Sequence, residues 1–90
     1  MKADAVILSA SCEANMTKSI LFKFADEIDH CMTDDRDGLI KMINKYTHAY
    51  EKAEAEFTRD GARLDCMTSA QLRARLLLVR NFLLDEAFAL

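Results

Sequence analysis

Proline is absent from this chain, and glycine occurs only at positions 38 and 61. Turn-rich folds need Gly, Pro and Asn at their corners, because few other residues reach the required backbone angles. With so few corner residues in 90, the chain is confined to a small number of long elements. The spacing of its apolar residues then says that those elements are helices.

From Ala3 to Met32 the apolar residues Ala3, Ile7, Ala10, Ala14, Leu21, Phe24, Ile28 and Cys31 recur at steps of three and four, with Thr17 the one polar member. That period places them on one helical stripe and predicts a helix over 3–32. The competing reading is a short strand at Val6-Ile7-Leu8 followed by a helix capped by Thr17. The acidic cluster Thr33-Asp34-Asp35-Arg36-Asp37-Gly38 ends this stretch. Thr33 or Asp37 is the expected cap of the next helix, because a short side-chain oxygen there accepts from free first-turn amides.

That second helix is expected over 34–59. Leu39, Ile43, Tyr46, Tyr50, Ala53 and Phe57 form its buried stripe, and Lys41, Lys45, Glu51, Lys52, Glu54 and Glu56 its solvated side. Asp60-Gly61 is the expected end, with glycine in the left-handed conformation. The third helix, over 69–90, has the clearest start. Thr68-Ser69-Ala70-Gln71 matches a capping box, flanked by Met67 and Leu72 as a hydrophobic staple. Short connections between long helices imply antiparallel neighbours. The expected fold is all-α: one domain spanning 1–90, a small antiparallel bundle of about three long helices, completed by dimerisation.

Composition narrows the function classes. Hydrophobic residues are 51% and charged residues 30%, which separates the chain from disordered sequences. The net charge of −3 offers no general attraction for nucleic acid. No apolar run approaches the ~18–20 residues that span a bilayer. Lys2 and Asp4 are followed only by the short run Ala5-Val6-Ile7-Leu8, unlike a secretory leader. Cys12, Cys31 and Cys66 are odd in number and lack paired spacing, so free thiols in a reducing, cytoplasmic compartment are expected.

The motifs that could carry chemistry are incomplete. Thr33–Asn44, TDDRDGLIKMIN, resembles an EF-hand calcium loop at Asp35, Asp37, Gly38 and Ile40. Thr33 stands where that loop needs its first Asp, and Asn44 where it needs its bidentate Glu. Glu27-Ile28-Asp29-His30 is one Glu-x-x-His step, whereas a bundle di-iron site needs two such steps and further carboxylates. His48-Ala49-Tyr50-Glu51 runs in the reverse order, and no Cys-x-x-Cys frames a zinc site. No strained or glycine-rich turn presents a cysteine beside His30 or His48 as a nucleophile. No catalytic residue, metal or cofactor is expected.

The surplus lies at the end of the chain. Leu72, Leu76, Val79, Leu83 and Leu90 make one helical face; Leu77, Leu84 and Phe88 a second; Leu78, Phe82 and Ala89 a third. A bundle helix with two neighbours covers two faces, so the third is exposed, covered by the N-terminal segment or covered by another chain, unless this helix is simply central in its own small bundle. Leu78, Phe82, Phe88, Ala89 and Leu90 are the expected protein interface. Arg73, Arg75 and Arg80, with Asp34, Asp35 and Asp37, are its candidate charged rim. The expected function is non-enzymatic: an adaptor, inhibitor or regulator that binds another protein, its own copy included, with no membrane contact. The alternatives are a nucleic-acid-binding regulator using Arg73, Arg75 and Arg80, and an acidic nucleic-acid mimic or docking patch at Asp26–Asp37. The bland account of the same charges is ion pairing between those arginines and that acidic stretch.

Overall fold

The structure, a computed structural model, describes residues 14–31, 33–59, 61 and 63–90, with Ala14 and Asn15 described by backbone alone. Every regular element among them is helical: α1 (Ala14–Asp29), α2 (Arg36–His48), α3 (Glu51–Phe57), a 3₁₀ turn (Leu64–Cys66) and α4 (Ser69–Ala89). No helix among the described residues is long and apolar enough to cross a membrane. The first eleven positions of the expected 3–32 helix, the alternative strand at Val6–Leu8, Cys12 and Met32 lie outside the described residues.

Within α1 the described part of the expected stripe faces the core, with Phe24 and Cys31 half-buried against it. Leu21 and Ile28 are core residues, and the polar Thr17 is buried on the same line. The hydroxyl of Thr17 has no hydrogen-bond partner, so this position is apolar in environment if not in chemistry. The helix tightens as it ends: Cys31 N–H bonds to the Ile28 carbonyl at 3.0 Å, and His30 Nδ1 lies 2.8 Å from the Asp26 carbonyl.

The cap of α2 is neither Thr33 nor Asp37 but Asp35, whose carboxylate accepts from Gly38 N–H at 3.1 Å. Thr33 instead accepts from Asp35 N–H at 3.1 Å, folding the loop back over the first turn. A Cβ at position 38 would stand 3.0 Å from Thr33 Oγ1, so glycine is what allows that close approach. Asp37 lies in the first turn, where the helix dipole favours an acid.

The helix expected over 34–59 is interrupted. It stops at His48, and Tyr50 turns to extended angles, φ −131° and ψ 126°, before α3 begins. No Gly or Pro stands there. Tyr50 is 1% exposed, and its hydroxyl reaches Glu86 on α4 at 3.1 Å, so tertiary burial overrides helical continuity. His48 Nδ1 and Glu54 Oε2, 2.8 Å apart, span the break. The helical stretch also ends at Phe57, two residues before the expected end at 59. Gly61 has φ +67°, and its N–H bonds to Thr58 at 3.3 Å.

The start of α4 is as expected. Gln71 N–H donates to Thr68 Oγ1 at 3.2 Å, and the Gln71 side chain accepts from Thr68 N–H at 2.9 Å. Arg36 reinforces that start from 31 residues away: its guanidinium donates to the Met67 carbonyl at 2.8 Å and to the Asp65 carbonyl at 3.0 Å. α4 is the hub of the fold and contacts α1, α2 and α3, most extensively α1. Leu72, Leu76, Val79, Leu83 and Ala87 form its buried face. Fully burying each of the larger side chains contributes about 1.5–3 kcal/mol, so this face is a large contributor to the core that it shares with α1, α2 and α3.

Candidate protein interface

The opposite side of α4 is open, with apolar side chains around the exposed Asn81 and Asp85. Leu77 is 50% exposed, Leu78 54% and Phe88 71%, and Ala89 is exposed as well; Leu90, 45% exposed, caps the helix on the line of the buried face. At 100° per residue, Ala70, Ala74, Leu77, Asn81 and Phe88 follow one line roughly opposite the buried face, with Leu78 beside it. Ala70, Ala74 and Asn81 are also exposed. Large exposed side chains are ordinary when scattered singly; a line of them on one helix is not.

Two assignments change. The face of Leu77, Leu84 and Phe88 was expected to be covered by a second helix, yet only Leu84 of the three is half-buried. α1 flanks this face without covering it: the Phe22 and Phe88 rings meet edge to face, with centroids 5.2 Å apart. Phe82, expected at the interface, is drawn into the core margin. Its ring packs edge to face on Phe57 of α3 at 5.5 Å. The short α3, set by the break at Tyr50, is what brings Phe57 there.

The candidate rim is occupied by internal contacts. Arg73 pairs with Asp34. Arg80 grips Asp29 through two nitrogens, at 2.6 and 3.2 Å, and its third bonds to Asn81. Arg75 donates to the Phe57 carbonyl at 2.8 Å and lies over the Phe57 ring. Asp35 is the α2 cap. The arginines therefore tie α4 to α1, to the α1–α2 loop and to α3.

The candidate chemical motifs are similarly engaged. Glu27 accepts from Tyr46 O–H at 2.5 Å. Residues 36–44 of the calcium-loop resemblance are helical, so they do not wrap an ion. Among the described residues, no three His, Cys, Asp or Glu side chains group as metal ligands. Both tyrosines sit against carboxylates in the core margin. Burial, then the hydrogen bond to Glu86, pushes the Tyr50 hydroxyl up to about 12, and burial with the Glu27 bond raises Tyr46 further.

Among the surface hollows that adjoin α4, two lie beside Leu77 and Leu78. One, of about 390 Å³, lies between the end of α1 and α4 and is lined by Ile28, Cys31, Leu39, Leu76 and Leu77, with the Arg73–Asp34 pair at its edge. The other, of about 230 Å³, is lined by Met67, Gln71, Ala74, Arg75 and Leu78 on the open side of the helix. No protein-family model, curated protein or solved structure matches the chain.

Proposed function

We propose that this protein is a non-enzymatic binding module whose working surface is the open face of α4, and that its partner is another protein chain, its own copy included. The observation that carries this reading is the set of large apolar side chains Leu77, Leu78 and Phe88, each 50% or more exposed on the helix whose other face centres the core. Apolar area of this kind gains free energy when a partner removes it from water. Three exposed alanine positions on the face allow close approach of a second backbone.

The nucleic-acid reading is weaker. Arg73 and Arg80 are held by carboxylates and Arg75 by the Phe57 carbonyl, so a phosphate would have to displace existing partners. The acidic-mimic reading is weakened by the same contacts, because Asp29 and Asp34 are paired and Asp35 caps α2.

The double substitution Leu78→Glu with Phe88→Glu tests the reading. Both positions are exposed, so circular dichroism should keep its helical signal. Association, read as mass by light scattering and as recovery of partner chains in pull-down, should be lost. Unchanged association with the fold intact would reject the α4 face.

A further inference from the structure

Of the three helices packed on α4, α3 touches it least. It has seven residues, short of the ~12–15 at which an isolated helix becomes even marginal in water. Tyr50 stands at its N-cap, and the side chain accepts from none of the first-turn amides. Beyond Tyr50 the helix buries Ala53, with Phe57 half-buried, while Glu51, Lys52, Ala55 and Glu56 are exposed. Its ties include the Phe57 ring on Phe82 and the Phe57 carbonyl accepting from Arg75. The Lys52–Glu86 pair at 3.6 Å and the His48–Glu54 pair across the break lie at the surface, where ion pairs hold little. The packing beneath α3 is incomplete. A hollow of about 210 Å³ lies between α2, α3 and α4, lined by Ile43, Thr47, Phe57, Leu64 and Arg75 among others, so the helix and its floor share few dispersion contacts. Thr47 is 4% exposed, and its hydroxyl has no hydrogen-bond partner. A buried hydroxyl without a partner costs the water it gave up, and that cost falls on the closed position of α3.

Resting on the binding role given to the open face of α4, we propose that α3 is a hinged cover on that helix, swinging about Ala49 and Tyr50 while the rest of the bundle stays folded. Residues 58–63 join α3 to the 3₁₀ turn and can span about 20 Å, which bounds the swing. Opening hydrates Thr47 and lifts Phe57 from Phe82. Phe82 stands four residues from Leu78, so the two share a side of α4. The binding face then widens by a large ring, beside the hollow of about 230 Å³ at Ala74 and Leu78. A partner that binds the wider face draws the open state from the closed one, so α3 sets how much of α4 a partner meets.

Amide hydrogen exchange reads the opening with no partner present, so its outcome is separate from that of Leu78→Glu with Phe88→Glu in pull-down. Amides 54–58 are bonded within α3 and to its caps. They should exchange about a hundredfold or more faster than those of Val79–Leu83 in α4. Thr47→Val keeps the shape, removes the unpaired hydroxyl, and should slow amides 54–58 at least about fivefold. Ile28→Val trims α1 where it meets Leu39 and Leu76. It should speed the α4 amides severalfold and leave amides 54–58 unchanged, because the closed and open states lose the same methyl group. The three results together support the cover, and failure of any one overturns it. Amides 54–58 as slow as those of α4, or quickened equally by Ile28→Val, would show that α3 opens only with the whole fold. No slowing in Thr47→Val would show that the unpaired hydroxyl beneath α3 does not set its opening.

Discussion

The segment from Arg36 to Phe57 and the helix α4 invert the usual relation between pattern and structure. The first has the cleaner apolar stripe, Leu39, Ile43, Tyr46, Tyr50, Ala53 and Phe57, yet it breaks into two helices. The second has apolar residues on most sides, yet it runs unbroken for 21 residues. Periodicity reports which side chains face the core. It does not report where the backbone stays helical, because Tyr50 keeps its place in the stripe while leaving helical angles. In α4 a strong cap and a buried inner line suffice for continuity, and the remaining apolar residues are left over for the surface.

The largest expected effect separates the two faces of α4. Leu83 is fully buried, and Leu83→Ala should destabilise the fold by about 2–5 kcal/mol through lost burial and a cavity. Leu78→Ala, at dilution, should stay within about 0.5 kcal/mol of wild type. Chemical denaturation of both variants gives the contrast. Equal losses would mean that α4 has no open face.

The 36–57 segment is best probed by alkali. Its two tyrosines are the only ones in the chain, and tryptophan is absent, so tyrosinate absorbance reads them alone. Both hydroxyls are raised on folding, so the unfolded chain releases its protons first as pH rises. Their contribution to stability should be complete below about pH 10 and be lost from there upward, through the Tyr50 value of about 12. Absorbance and helical signal should therefore change together. Ionisation near the free-tyrosine value with helix intact would show that Tyr50 and Tyr46 are open to water, removing the stated reason for the break.

A smaller effect tests why α4 is continuous. Thr68→Ala removes one half of the capping box and should cost about 0.5–2 kcal/mol, read by thermal unfolding. An unchanged melting temperature would shift the credit for the α4 start to Arg36 and its bonds to Met67 and Asp65.

What was legible in the residues was mostly local. Thr68 and Gln71 are three apart and answer each other's amides, so four letters suffice to find the cap. The α1 and α2 stripes were legible because burial enforces the helical period. Contacts between distant residues left no such trace: Arg36 meets carbonyls 31 and 29 positions away, and any residue supplies a carbonyl. The surplus of apolar residues in α4 was visible in the sequence, whereas the choice between Phe82 and Leu77 was not. That choice depends on where α3 delivers Phe57, which follows from a break that no Gly or Pro announces. The Arg73–Asp34 and Arg80–Asp29 pairs lay within the charge pattern, but only geometry assigns each arginine its acid.

The central claim is that one helix carries a core face and a separate binding face. Methyl and aromatic NMR across a dilution series tests it most directly. The account predicts that Leu77, Leu78 and Phe88 resonances shift with concentration while those of Leu72, Val79 and Leu83 stay fixed. Shifts confined to the inner residues, or an outer face unaffected both by concentration and by added partner protein, would contradict it.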